Sequence, residues 1–215
     1  MAVHYDVPFI PNPNDRCLVC CVGMVLGYFT PDKTYTMKDL DELCGYWDGH
    51  GTWPMEHLLR MADMGFEFEL ISDFDPHKFI DNPEGYMREL SKNPDGLEYQ
   101  LKHTDLPKEQ ARYVEYMRRK LPWEKRKGTM DDVRRFLDYG WLVRLGINMN
   151  LFNDVPGYVG HSVLVIGYDD DGPILHNPDN GNNRPNQHTS WNKLEKAWQD
   201  FGDQSSVFAY RLKNK

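Results

Sequence analysis

Between Cys17 and Phe29 the chain is apolar around almost the whole circumference of a helix, and no other stretch limits the possible folds so strongly. Leu18, Val19, Val22, Val25, Leu26 and Phe29 recur at helical spacing. A pattern this crowded calls for burial on more than one side, so the segment is expected to run through the centre of a domain. Before it, Val7–Ile10 reads as a short entering strand and Pro11-Asn-Pro-Asn14 as a polar loop that stops it. Asp15 is placed to cap the helix.

Beyond Phe29 the chain reads as helical first and β later. Thr36 to Asp39 has the spacing of a capping box and opens a helix to about Cys44. Thr52 with Pro54 opens another that ends at Gly65, and Phe66 to Leu70 alternates as a strand does. From 75 to 127 the texture is charged and helical, broken by Pro83, Pro94, Pro107 and Pro122, which predicts two or three surface helices forming an insertion or cover. Thr129 starts a further helix that stops at Gly140. Strands are then expected over 141–149, 161–168, 174–176 and 206–212, with a tight turn at Asp169–Gly172 and a short helix from Ser190 to Trp198. Helices followed by antiparallel strands define an α+β domain, and 215 residues suit a single one spanning 1–215.

The net charge of −8 argues against a general nucleic-acid binder, because phosphate contacts need surplus Lys and Arg. A local basic patch at Arg118-Arg119-Lys120 and Lys125-Arg126-Lys127 reads first as a solvated helix end. No apolar run approaches the roughly 20 residues that a membrane helix needs. Met1 to Val7 lacks the basic flank and apolar core of a secretory signal, so a cytoplasmic location is expected. Of four cysteines, three crowd onto one helix, which suggests reduced thiols rather than a disulfide framework. Oligomeric state is not legible.

The chemistry concentrates at three places. Cys17 lies in the first turn of its helix, where unpaired backbone N–H groups and the helix dipole lower a thiol pKa. Cys20 and Cys21 lie deeper and read as small apolar residues. A redox dithiol at Cys17-x-x-Cys20 would want a preceding strand in a βαβ unit, and a zinc site using Cys44, His50 or His57 lacks regular spacing. His161 stands at the mouth of the apolar strand Ser162–Tyr168, preceded by a glycine. If the 169–172 turn makes a hairpin, Asn177 returns beside His161, where its side-chain oxygen would fix the imidazole tautomer. His176 reads as a surface or packing residue, Trp191 as a core residue or a cover over the His–Asn pair, and Gly49–Thr52 as a turn or a cleft wall. The Asp169–Asp171 run is explained by its hairpin without calcium.

At these residues the chain resembles the papain-like cysteine peptidases, in particular the bacteriocin-processing (double-glycine) peptidase-like branch. Val7-Pro-Phe-Ile10 and Met24-Val-Leu26 match that branch's opening, and counting back from Met24 places its nucleophile on Cys17. His161, Gly167-Tyr-Asp169 and Asn177-Pro178 fill its later block. The likeness covers residues 7–29 and 129 to about 199. It departs in three ways: Cys17-Leu-Val replaces Cys-Gly-Pro, the expected oxyanion-hole Gln is absent with Asn12 the nearest substitute and Asn14 the next, and Asn177 stands where the branch usually has Asp.

The resemblance implies a papain-like fold, with a Cys-bearing helix packed on a late antiparallel sheet carrying His and Asn. It implies a cysteine-dependent hydrolase acting on a peptide, protein or amide substrate through Cys17, His161 and Asn177, with no cofactor and no metal. An acyltransferase using the same triad and a weakened peptide-binding module are the alternatives.

Overall fold

The computed structural model describes residues 2–91, 94–201 and 206–213. In chain order the elements are β1 (Val3–His4), α1 (Cys17–Phe29), α2 (Met37–Cys44), α3 (Met55–Asp63), β2 (Phe66–Ser72), α4 (Pro76–Asp81), α5 (Pro83–Leu90), α6 (Pro94–Lys102), α7 (Leu106–Arg118) and β3 (Glu124–Lys125). After them come α8 (Met130–Asp138), β4 (Leu142–Asn148), α9 (Met149–Phe152), β5 (Gly160–Tyr168), β6 (Pro173–Asn177), β7 (Arg184–His188), α10 (Trp191–Gln199) and β8 (Val207–Leu212). The strands form one sheet in the order β3-β2-β8-β4-β5-β6-β7, with β1 added on β5. All pairings are antiparallel except β2 with β3. An α+β fold is therefore what the chain adopts.

Helix α1 is central, as its sequence requires. Leu18 through Leu26 and Phe29 are all buried, against α2 on one side and the β5–β8 face of the sheet on the other. Leu142, Leu164, Ile166, Phe208 and Tyr210 meet it from the sheet. Val143, Leu145, Val163, Val165 and Leu175 point to the opposite face and pack under α8 and α10. Two apolar layers thus sandwich the sheet.

Local signals set most boundaries. Thr36 with Asp39 and Thr129 with Asp132 form complete capping boxes. Gly45, Gly65 and Gly140 take positive φ at helix ends, a backbone region that glycine enters without strain. Ser190 caps α10, and the Asp169–Gly172 turn closes with Asp169 Oδ1 accepting from the N–H groups of Asp171 and Gly172.

Three expectations are corrected. Residues 7–10 form no strand, since Pro8 and Pro11 cannot donate to a ladder; the pairing falls to Val3 and His4, against Tyr168 and Gly167. Asp15 does not cap α1: it takes a left-handed φ of 46°, and the helix begins only at Cys17. Arg16 takes the cap position, and Asn12 Oδ1 accepts from the N–H groups of Asn14 and Arg16 at 3.1 and 3.0 Å. Thr52 caps nothing, and α3 begins after Pro54 without a side-chain cap.

Among its described residues the 75–127 region holds four helices, α4 to α7, and is more than a surface layer. Phe79, Tyr113 and Tyr116 are buried in the same core as α1, with Phe74 and Trp123 packed among them. The basic stretch beside it is neutralised locally: Arg118 and Arg119 pair with Glu115, Lys125 with Asp75, and Arg126 with Glu124 and Asp132. Among the described residues no helix is long and apolar enough to cross a membrane.

One strand contact allows no side chain. A Cβ on Gly167 would strike the Val3 carbonyl and the His4 Cα. Gly167→Ala should therefore detach β1 and destabilise the chain by about 1–3 kcal/mol, the usual range for overpacking. A thermal melt several degrees lower is expected; an unchanged melt would show that β1 adds nothing.

Candidate active site

The site is assembled from three separated segments. The start of α1 presents Cys17, which is half-buried, while Cys20 and Cys21 one turn deeper are fully enclosed. The start of β5 presents His161, only 6% exposed. The end of β6 presents Asn177, which is completely buried. Antiparallel pairing of β5 with β6 places Leu164 opposite His176, so the end of β6 returns toward the start of β5. The hairpin expected from Asp169–Gly172 therefore brings Asn177 back to His161.

Two further contacts hold α1 in place. Cys21 Sγ donates to the Ser162 carbonyl at 3.6 Å, fastening α1 to β5 beside the histidine. The loop before α1 is latched to the loop after β6: Asn12 Nδ2 donates to the Pro178 carbonyl at 3.0 Å, the Asn12 N–H to Asn183 Oδ1 at 2.8 Å, and Asn180 Nδ2 to Asn14 Oδ1 at 3.3 Å. Asn12 is itself buried.

The Cys17 thiol lies within hydrogen-bonding reach of the His161 ring. His161 Nε2 is 2.8 Å from Asn177 Oδ1, so Nδ1 is the nitrogen left for sulfur. Burial pushes the Cys17 pKa up, but the neighbouring imidazolium, its hydrogen bond, and backbone groups of Ser162 and Leu18 outweigh that and leave the thiol below its ordinary value. For His161 burial pulls the pKa down, while Cys17, the Asn177 hydrogen bond and the charge of Asp179 carry it above the ordinary value. The two shifts run in opposite directions because each group favours the charged form of the other. In contrast, burial drives Cys20 up to about 12 and raises Cys21 and Cys44 well above the ordinary thiol value, so these three are inert thiols.

The remaining candidates fall elsewhere. His176 is a packing residue, buried against Phe9 with Nε2 on the Val7 carbonyl. Trp191 packs on Tyr168 and Arg134, at the opposite end of β5 from His161, and covers no part of the His–Asn pair. Gly49–Thr52 is held against the end of α6 by bonds between Gly51 N–H and the His103 carbonyl and between His103 Nδ1 and the Gly49 carbonyl. Among the described residues no three His, Cys, Asp or Glu side chains gather as a metal site would require.

One contact had no signal in the sequence. Asn177 Nδ2 donates to Gln187 Oε1 at 2.8 Å, from the edge strand β7. Arg-Pro-Asn-Gln-His has neither alternation nor apolar content to announce a strand.

A solved structure shares this architecture along its full length. A protein described as a C39-like peptidase, from Bacillus anthracis, superposes with a TM-score of 0.53 at 14% identity, covering 100% of both chains. Helix and sheet together make this the papain-like peptidase fold. Residues 4–206 match the Peptidase C39-like family, and the chain belongs to that family. No curated protein is similar enough to match.

Proposed function

We propose that the chain is a cysteine peptidase or amidase with Cys17 as nucleophile, His161 as general acid and base, and Asn177 orienting the imidazole. The observation that carries this reading is the half-buried thiol at a helix start, its pKa lowered, touching a histidine whose far nitrogen is held at 2.8 Å by an amide oxygen. Membership of the C39-like family supports it.

The thiolate attacks the scissile carbonyl carbon, and the oxygen takes up the negative charge. In this reading two donors receive it: the Cys17 backbone N–H, which a first-turn residue leaves without an intrahelical partner, and the second hydrogen of Asn12 Nδ2, whose first is spent on Pro178. His161 gives its proton to the departing amine as the C–N bond breaks. The neutral ring then takes a proton from water, which attacks the thioester and returns Cys17 as thiolate.

Cys17 alkylation by iodoacetamide, mapped by mass spectrometry, tests the ion pair. A free thiol titrates near about 8.5, so alkylation of Cys17 should stay fast at pH 6, at least tenfold above a free cysteine, while Cys20, Cys21 and Cys44 stay unmodified in the folded chain. The rate of peptide hydrolysis should rise with the thiolate at lower pH than a free cysteine allows and fall again as His161 loses its proton above the usual histidine range. If Cys17 alkylated only as pH approached 8.5, the proposal would fail.

A further inference from the structure

Asn177 raises a difficulty that a carboxylate in its place would not. Both oxygens of an aspartate accept, so either face serves the imidazole. An asparagine serves only with oxygen inward; turned over, it sets an N–H against the Nε2–H of His161 and repels it. Asn177 is completely buried, so water cannot choose its orientation. Among the described residues, the side chain bonded to the outer half of its amide is Gln187, whose Oε1 accepts from Asn177 Nδ2 at 2.8 Å. The chain of bonds therefore runs Gln187 Oε1, Asn177 Nδ2, Asn177 Oδ1, His161 Nε2, and an accepting Gln187 is compatible only with the oxygen-inward amide.

We infer that Gln187 is a positioning residue that, by accepting from Asn177 Nδ2, supports the oxygen-inward orientation of Asn177 and through it the tautomer of His161. The inference rests on the triad reading of Cys17, His161 and Asn177. It also explains why an uncharged side chain on a mostly solvent-facing edge strand is half-buried and turned inward here. Gln187 offers both an acceptor and a donor, so the same side chain would present its N–H₂ group to a carboxylate at position 177. A glutamine suits either partner, and residues of one polarity suit only one.

That asymmetry gives the test. Lysine can only donate. Gln187→Lys should favour the inverted Asn177 amide, remove the acceptor from His161 Nε2–H and lower the population of the thiolate–imidazolium pair. The groups facing His161 are otherwise unchanged: Cys17 from α1 and Asp179 from the loop after β6. Iodoacetamide alkylation of Cys17 at pH 6 should slow about tenfold, the scale of one hydrogen bond at a buried polar group, and the His161 ring should titrate at lower pH by NMR. Combining Gln187→Lys with Asn177→Asp should restore the rate to within about threefold of Asn177→Asp alone, because a lysine donates to a carboxylate. Gln187→Glu, which can only accept, should hold its rate with Asn177 and lose it when combined with Asn177→Asp, where two carboxylates would meet.

This crossed pattern is the expected result. A merely structural Gln187 would cost the same in both backgrounds, and equal losses, or no loss with Gln187→Lys, overturn the inference. Gln187 is half-buried, so a thermal melt of each variant confirms that the folded chain is being read. Should wild-type Cys17 itself lack fast alkylation at pH 6, the triad reading falls instead, and the two failures are distinct.

Discussion

His161→Ala should lower hydrolysis of any peptide the wild-type chain cleaves by about 10³- to 10⁴-fold, the range expected when a general acid–base is lost. The size follows from two roles failing together. The leaving amine loses its proton donor, and Cys17 loses the cation that holds its thiol ionised. Burial remains once the histidine is gone, and it pushes the Cys17 pKa up. Against it stand only the backbone groups of Ser162 and Leu18. Alkylation of Cys17 at pH 6 should therefore collapse along with turnover, by more than tenfold. Cys17→Ser should abolish alkylation at that position outright and leave the fold intact, since the change is one atom at a half-buried site. A His161→Ala variant that kept both turnover and fast alkylation would leave Cys17 without a base, and the proposed chemistry would be wrong.

The parts of this molecule that could be read from the sequence are those fixed by neighbours a few residues apart. Thr129 and Asp132 meet because three residues separate them on a helix, and Gly140 ends that helix because its left-handed backbone strains any residue with a side chain. The apolar circumference of α1 forced a central position, and the turn at Asp169 forced β6 back along β5. Cys17, His161 and Asn177 were legible for a different reason: their order along the chain, together with the resemblance at Gly167-Tyr-Asp169 and Met24-Val-Leu26. The features that escaped depend on partners far away in sequence. Asp15 has the composition of a cap, yet the loop before α1 is bonded to Pro178, Asn180 and Asn183, and that latch leaves Asp15 left-handed. Strand β7 exists because β6 offers it a backbone ladder, not because its own residues ask for one. Gln187 is invisible until that ladder brings it beside Asn177.

Asn12 is where the two kinds of information meet, and its variants should separate them. Asn12→Ala removes the oxygen that accepts from the Asn14 and Arg16 N–H groups, so part of its effect is on stability. Losing hydrogen bonds of this kind costs about 0.5–1.5 kcal/mol each. Asn12→Asp keeps an oxygen for those same two donors and so should preserve the approach to α1 far better. It removes the amide hydrogens, one from Pro178 and one from the proposed oxyanion site. It also sets a carboxylate against developing negative charge. Loss of a single oxyanion donor lowers kcat by about 10²- to 10³-fold, and Asn12→Asp should reach at least that, with KM little changed because the charge exists only in the transition state. Rapid alkylation of Cys17 by iodoacetamide, which forms no oxyanion, should survive in the same variant. An Asn12→Asp chain that hydrolyses peptide at the wild-type rate would reduce Asn12 to a latch between two loops, and the negative charge would then rest on the backbone N–H of Cys17 alone.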